Sequence, residues 1–417
     1  MARLLWMEKQ VIGPSPRVGH AMAYDRARGR VVLFGGDAFG LDRFGDTWIW
    51  NGDVWREVDR RGPSPRAGHA MAFDSARQRV VLFGGHTASD LVADTWEWDG
   101  ETWTQMDDRG PAARDGHALA YDAAREEVVL FGGATAATPL GDTWTWNGRS
   151  WMRQHDAGPS PRSGHGLTYD GRRQRAVLFG GVGASDPRGL GDTWEWAGAR
   201  WALVANRGPD GCVGCAMVFR SDRAAIFGGM STIADGSDRR LFGVTWEWDG
   251  ERWTPMQDVG VGARSGHAMA FDSGRGVVVL FGGLRGFVQA PNPARLRGDT
   301  WEYADVPTDA APVPAGRPVA IARVDAEPRL VRPGVEFTIV VKLAGAAPPG
   351  GQIATIESNL GPIGHLAFAP GQREGQLSYA FPHEIAGHVP LPFALEITVT
   401  PAVSGGARAK TRVTIER

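Results

Sequence analysis

The chain has 417 residues, more than one ordinary hydrophobic core holds, so two domains are expected. Its 45 Lys and Arg nearly balance its 47 Asp and Glu, which argues against a general nucleic-acid-coating protein. The 58 glycines and 27 prolines predict many turns and little helix, and no apolar run is long enough to predict a membrane-spanning helix.

The N-terminal segment, MARLLWMEKQ, does not have the apolar core of a secretory signal peptide. For the chain as given we therefore expect a cytoplasmic location. If a signal peptide has been removed, an extracellular or periplasmic location is expected instead.

A repeat of 48 to 54 residues then runs through most of the chain. Each unit has an apolar stretch ending in Gly-Gly, then Thr-Trp, then a second aromatic residue two positions later. Each unit therefore reads as four strands, a to d, joined by short turns, as in GHAMAFD, RVVLFGG, DTWEWDG and ETWTQM. This period is typical of β-propeller blades, and six units predict six blades. The Gly-Gly pairs are residues 35–36, 84–85, 132–133, 180–181, 228–229 and 282–283.

The sixth unit ends soon after Tyr303 and lacks its fourth strand. The N-terminus supplies a matching segment, LLWMEKQ, with Trp6 in the position of Trp55 in the first unit. We therefore expect residues 4–10 to pair with residues 299–304 and to close the ring, which leaves the propeller no open edge.

The Gly-Gly pair, the Trp-x-Trp and the lone Trp that follows resemble the kelch repeat, in six copies over residues 1–305. The resemblance implies a six-bladed propeller of the galactose-oxidase/kelch type. Kelch-type copper oxidases use two Tyr, two His and a Tyr crosslinked to Cys. Because the repeat accounts for four of the five tyrosines and the C-terminal domain holds the fifth, we expect no such chemistry and no cofactor.

Residues 306–318 form a Pro- and Ala-rich linker, and residues 319–417 form a second domain. Segments such as VEFTIVVKL, ALEITVT and KTRVTIE alternate apolar and polar residues, and seven short strands are predicted. The region resembles the immunoglobulin-like β-sandwich modules of bacterial extracellular proteins. The whole chain is thus expected to be all-β.

A repeated Pro-Arg-x-Gly-His segment precedes strand a, and an Asp precedes strand c, on the face that carries the d–a and b–c loops. In the fifth unit Cys212, Cys215 and Val244 replace the Arg, the His and the Asp together, so these three groups depend on one another. One interpretation is a structural polar cluster. The other is an anion-binding arginine ring, since similar kelch domains bind acidic peptides with Arg on this face. The arginines are Arg17, Arg66, Arg114, Arg162 and Arg264.

Other candidates lie on the same face. Asp37 and His86 directly follow their Gly-Gly pairs and are expected at the channel mouth. The b–c loops of units five and six are long, and long loops on a rigid scaffold often carry function. A charged rim for a partner is one interpretation of these loops, and a solvated rim is the other. Their arginines are Arg239, Arg240, Arg285, Arg295 and Arg297.

No metal site is predicted, because the repeated histidines belong to a strand entry around a wide channel. Cys212 and Cys215 have the C-x-x-C spacing but no second pair and no helix, so two small semi-apolar substitutions are expected, with a disulfide or redox role as the alternative.

The sequence therefore favours a non-catalytic binding protein whose d–a/b–c face contacts a protein, a peptide or an anionic glycan. No nucleic acid and no membrane insertion are expected. The alternative is a sugar-binding enzyme of the six-bladed kelch mutarotase or epimerase type, similar to those that act on sialic acid. Its anionic substrate would lie at the channel mouth, with His86 and Asp37 as candidate acid–base groups.

Overall fold

The computed structural model describes the following residues: 3–9, 11–38, 42–58, 61–106, 109–154, 157–184, 186, 188–232, 239–256, 261–285, 296–306, 321–327, 330–331, 336–343, 352–358, 361–368, 374–380, 393–401 and 409–415. These residues form strands, turns and extended segments, and among them no helix is long and apolar enough to cross a membrane. The chain divides into two compact units, Ala2–Val306 and Pro307–Arg417, the second together with Met1. The predicted linker lies almost wholly outside the described residues.

The first unit is a six-bladed β-propeller, and each blade is a four-stranded antiparallel sheet ordered a, b, c, d. The closing strand is β1 (Arg3–Lys9). Blade one is β2 (Ala21–Asp25), β3 (Arg30–Phe34), β4 (Thr47–Trp50) and β5 (Trp55–Glu57); blade two is β6 (Ala70–Asp74), β7 (Arg79–Phe83), β8 (Thr95–Trp98) and β9 (Trp103–Gln105); blade three is β10 (Ala118–Asp122), β11 (Glu127–Phe131), β12 (Thr143–Trp146) and β13 (Trp151–Arg153).

The second half of the propeller continues the pattern. Blade four is β14 (Ser163–Asp170), β15 (Arg175–Val182), β16 (Thr193–Trp196) and β17 (Trp201–Ala205); blade five is β18 (Ala216–Arg220), β19 (Arg223–Phe227), β22 (Thr245–Trp248) and β23 (Trp253–Pro255), with a hairpin of β20 (Met230–Thr232) and β21 (Arg239–Leu241) between its b and c strands; blade six is β24 (Ala268–Asp272), β25 (Val277–Phe281), β26 (Thr300–Val306) and β1.

The ring closes as the repeat predicted. Strand β1 pairs antiparallel with β26, with Trp6 opposite Tyr303 as Trp55 is opposite Trp50 in blade one. The Trp6 indole also donates a hydrogen bond to Thr245 Oγ1 in blade five (3.2 Å). The first segment of the chain therefore fills the outer position of the last blade.

The apolar core lies between neighbouring blades, because strand b is buried on both faces. One cluster, for example, joins Val32 and Phe34 of blade one to Leu82, Trp98 and Trp103 of blade two. Each strand-d Trp also donates its indole N–H to the Thr that begins strand c of the preceding blade, at 2.8–3.2 Å. The tryptophans thus join blade to blade around the full circle.

The second unit contains two sheets. A three-stranded sheet has the order β27 (Ile321–Glu327), β29 (Glu336–Leu343), β32 (Glu374–Ala380); a five-stranded sheet has the order β28 (Leu330–Val331), β34 (Ala409–Ile415), β33 (Phe393–Pro401), β30 (Gln352–Ser358), β31 (Gly361–Phe368). The seven predicted strands correspond to β27 and β29–β34, and β28 is a short addition that pairs parallel with β34.

Candidate functional site

A closed ring of six glycines surrounds the propeller axis where the chain enters strand a. Each of these glycines donates its N–H to the carbonyl of its counterpart in the preceding blade, at 2.7–3.0 Å, and the last bond returns to the first. All six have φ between 63° and 68°, a conformation that glycine adopts without the steric cost of a Cβ atom. We call this ring the glycine collar; it consists of Gly19, Gly68, Gly116, Gly164, Gly214 and Gly266.

Two short segments of every blade meet above the collar. The residue between Arg and Gly of Pro-Arg-x-Gly-His forms a bridge with the residue that follows Gly-Gly, as Val18 does with Asp37 and Ala67 with His86. The d–a and b–c loops therefore share one face, as the strand order predicted. Asp37 and His86 lie at the channel mouth on that face.

The mouth is chemically uneven. In blades five, six and one its wall is apolar, and a cavity of about 430 Å³ is lined there by Val18, Val213, Met230 and Leu284, with collar glycines at its base. Asp37 is the charged residue among the cavity's described lining, and its carboxylate lies 3.9 Å from Arg43 Nε. The cavity suits an apolar group with polar contacts at one edge.

In blades two and three the mouth carries a close contact between a histidine and an aspartate. His86 Nδ1 lies 2.9 Å from Asp115 Oδ2, and both side chains are about one-third exposed. The pair stands over the collar, since a Cβ placed on Gly68 would lie 3.2 Å from His86 Nδ1. Asp115 was not among the residues predicted from the sequence. The available signal was its position, since it is the acidic residue in the variable slot of Pro-Arg-x-Gly-His.

The five repeated arginines are buried, at most 1% exposed, and each forms a bidentate ion pair with the Asp before strand c of its own blade. Arg17, for example, donates to Asp46 Oδ1 at 2.7 Å and Oδ2 at 2.8 Å, to the Gly35 carbonyl at 2.9 Å and to the Ser15 carbonyl at 2.9 Å. Burial alone would raise the pKa of Asp46, but its hydrogen bonds from Arg17 outweigh burial and hold that pKa below its usual value.

This geometry corrects the predicted anion-binding ring. A guanidinium that is buried and bonded to its own aspartate has no donor to offer a ligand in solvent. The structural polar cluster is therefore the interpretation that the geometry supports, and the correction applies to Arg17, Arg66, Arg114, Arg162 and Arg264.

The repeated histidines are buried beside these ion pairs and contact the preceding blade. His117 Nε2 lies 3.1 Å from the Phe83 carbonyl oxygen. Burial, followed by the nearby arginine charge, lowers the pKa of His20, His165 and His267 to about 3. These side chains are therefore neutral packing groups at ordinary pH.

Three long-loop arginines have described side chains; Arg285 and Arg297 lie close enough to interact, and Arg240 pairs with Asp210. Arg297 is half-buried, and burial followed by the charge of Arg285 lowers its pKa. Arg285 is exposed beside Gly262, and Arg240 is exposed in blade five. For Arg239 the structure describes the backbone of β21, and Arg295 lies outside the described residues. Among the described residues these arginines form no single cluster.

Blade five departs from the repeat at both cysteines. Cys212 and Cys215 are buried free thiols that pack with Val177 and Phe179 of blade four. A hydrogen bond with Cys215, together with burial, raises the pKa of the Cys212 thiol. Such a thiol is poorly nucleophilic, which fits the expected role as a small semi-apolar substitution.

These features define a six-bladed β-propeller. On one of its faces the channel mouth lies above the glycine collar, and part of the wall of that mouth is apolar. A solved structure described as "Structure of YjhT" is similar, with a TM-score of 0.55 and 13% identical residues, covering 69% of this chain and 95% of that chain. At this identity the likeness shows the fold alone. No protein-family model matches the chain, and no curated protein matches it.

Proposed function

We propose that this protein is a non-catalytic binding protein that presents the d–a/b–c face of a kelch-type propeller to a protein or peptide partner, and that its second unit is an immunoglobulin-like module after a short linker. The observation that carries the binding function is the apolar cavity of about 430 Å³ at the channel mouth. A cavity walled by Val18, Val213, Met230 and Leu284 gains free energy by enclosing an apolar side chain of a partner.

An anionic glycan fits this mouth less well than a peptide. The repeated arginines, which were the predicted anion ligands, are turned into the blades and paired. The acidic groups at the mouth, Asp37 and Asp115, would repel an anionic ligand, and Arg43 beside Asp37 offsets that repulsion in part.

The test is selection of binders from a random peptide library on the wild-type protein, followed by titration of the selected peptide into variants. Met230→Asp places an unpaired charge in the cavity and is expected to weaken binding at least tenfold. Met152→Asp is the matched control, because Met152 is 57% exposed on the outer strand of blade three. Equal affinity of wild type, Met230→Asp and Leu284→Asp would contradict the proposal.

The His86–Asp115 pair favours a second candidate, a sugar mutarotase or epimerase of the kelch type. A carboxylate that orients an imidazole is a common arrangement for general acid–base catalysis. The test follows the anomeric exchange of sialic acid by NMR with wild type, His86→Ala and Asp115→Asn. Exchange accelerated by wild type and lost in both variants supports the enzyme, and exchange at the uncatalysed rate with wild type contradicts it.

A further inference from the structure

Five blades carry an internal site for a guanidinium group, and the site is built the same way each time. The carbonyl oxygen of the first glycine of Gly-Gly accepts a hydrogen bond from Nη1 of the arginine, at 2.8–3.0 Å. The carbonyl two residues before the arginine accepts from Nε at 2.9–3.2 Å. In blades two and four that residue is a serine, and its side chain accepts a further hydrogen bond from arginine Nη2. The distances to Ser64 Oγ and Ser160 Oγ are 2.9 and 3.0 Å. In blade one the Phe44 ring lies 4.0 Å from the guanidinium carbon.

Blade five keeps this frame without the arginine. Cys212 replaces the Arg and Val244 the Asp, and a cavity of about 230 Å³ lies at this place. Its lining includes Gly228, the first glycine of the pair, and Asp210, the residue two before Cys212. Phe242 holds the position that Phe44 has in blade one. The residues that correspond to the guanidinium contacts of the other blades, with the counterpart of Phe44 in blade one, thus line a cavity here.

Asp210 supplies a negative charge in the blade where Val244 replaces the usual aspartate. In blades two and four this position is a serine whose hydroxyl accepts from the arginine. In blade five it is an aspartate, 69% exposed, so a carboxylate stands at the rim of the cavity. A carboxylate beside an aromatic ring is a strong combination for a planar cation.

A guanidinium of the chain itself already contacts two of these groups from outside. Arg240 lies 3.5 Å from the Asp210 carboxylate, and its guanidinium carbon is 5.5 Å from the centre of the Phe242 ring. Arg240 is itself one of the residues that line the cavity, and its side chain is 68% exposed, so it does not fill the cavity. The rim therefore attracts a guanidinium, and an incoming one would displace Arg240.

We propose that the blade-five cavity binds a guanidinium group from a ligand, either an arginine side chain of a peptide or a free guanidino compound. Asp210 pairs with the cation, the Gly228 carbonyl accepts from it, and Phe242 stacks against its plane, while Val244 and Trp246 contact the aliphatic stem. This site goes beyond the proposed function and is separate from the mouth cavity, because the described linings of the two share no residue.

The experiment is calorimetric titration of the full chain with N-acetyl-arginine methylamide and with the matching citrulline compound, which has the same shape without the charge. Saturable binding of the arginine compound, at least tenfold tighter than the citrulline compound, is expected. Asp210→Asn should weaken it at least tenfold, and Arg240→Gln should strengthen it by removing the competing side chain. Met152→Asp, on the exposed outer strand of blade three, should leave it unchanged, and because the two cavities share no described lining residue this proposal and the proposed function can fail separately.

A second variant rebuilds the internal site. Cys212→Arg with Val244→Asp gives blade five the pattern of its neighbours, fills the cavity and should abolish binding. Agmatine and the peptide Gly-Arg-Gly distinguish the two sources, since tighter agmatine binding identifies a free guanidino compound and tighter peptide binding identifies a peptide. Equal affinity for arginine and citrulline compounds, or wild-type affinity in both Asp210→Asn and the rebuilt variant, would overturn the proposal.

Discussion

In five of the six blades, the arginine that precedes strand a joins the d–a loop to the start of strand c. Its guanidinium is buried and donates hydrogen bonds to an aspartate and to two backbone carbonyls. Removing either member of the ion pair would leave a buried charge without a counter-ion. This explains why blade five loses the Arg and the Asp together. The sequence contained this signal, because the three replacements occur within one repeat. The sequence left open whether the carboxylates were paired, since pairing depends on distances across about thirty residues.

The buried histidines make the stability of the propeller depend on pH. Unfolded histidine binds a proton near pH 6.5, whereas folded His267 stays neutral until about pH 3. Between these values the unfolded state binds more protons, so the free energy of unfolding falls as the pH falls below 6.5. His267→Cys, which places in blade six the residue that blade five already has, should reduce that slope by about 1.4 kcal/mol per pH unit. Urea unfolding at several pH values between these limits measures the slope.

The aspartates add a second decline at lower pH. The pKa of Asp299, like that of Asp46, is held below its usual value by its arginine against the effect of burial. Their contribution is present above the ordinary carboxyl pKa and is lost as the pH falls through the lower folded value.

An identical pH slope in wild type and His267→Cys would show that His267 does not contribute as described.

Strand β1 is the element that turns six sheets into a closed ring. Trp6, 4% exposed, packs against Tyr303 at 4.9 Å and Phe227 at 5.3 Å, so it joins blades six and five. The repeat predicted this strand and its partner. The sixth unit lacks a fourth strand with its Trp, and the N-terminal segment contains a Trp outside the other units. The β20–β21 hairpin was not predicted. Its sequence carries no alternation, and its pairing sets it apart from the sheet of its own blade.

Trp6→Ala should destabilise the propeller by about 3–5 kcal/mol, because it removes a large buried ring and an inter-blade hydrogen bond. Met7→Ala is the control in the same strand; its side chain is 46% exposed, and a change within about 0.5 kcal/mol is expected. Denaturant unfolding of both variants gives the two values. A similar small effect for both would mean that β1 does not secure the ring.

The first unit, Ala2–Val306, is a ring of six repeated blades that departs from the repeat on one face. Two circles of hydrogen bonds hold the blades, the glycine collar at the axis and the Trp–Thr contacts farther out. The repeat predicted the blades and the shared loop face. It did not predict the collar, the His86–Asp115 pair or the blade-five cavity, because each arises where different blades or loops meet in space.

The proposed function requires that the d–a/b–c face is the face that binds a partner. The most direct measurement is NMR of the protein with labelled methionine methyl groups during titration with the selected peptide. Met230 lines the mouth on that face, whereas Met22, Met71, Met217 and Met269 line a cavity of about 340 Å³ toward the other end of strand a. The Met230 methyl signal is assigned by its loss in Met230→Leu. We expect its chemical shift to change until the peptide saturates the protein, while the shifts of the other four methionines do not change. Shifts of the four signals with Met230 unchanged would contradict this expectation.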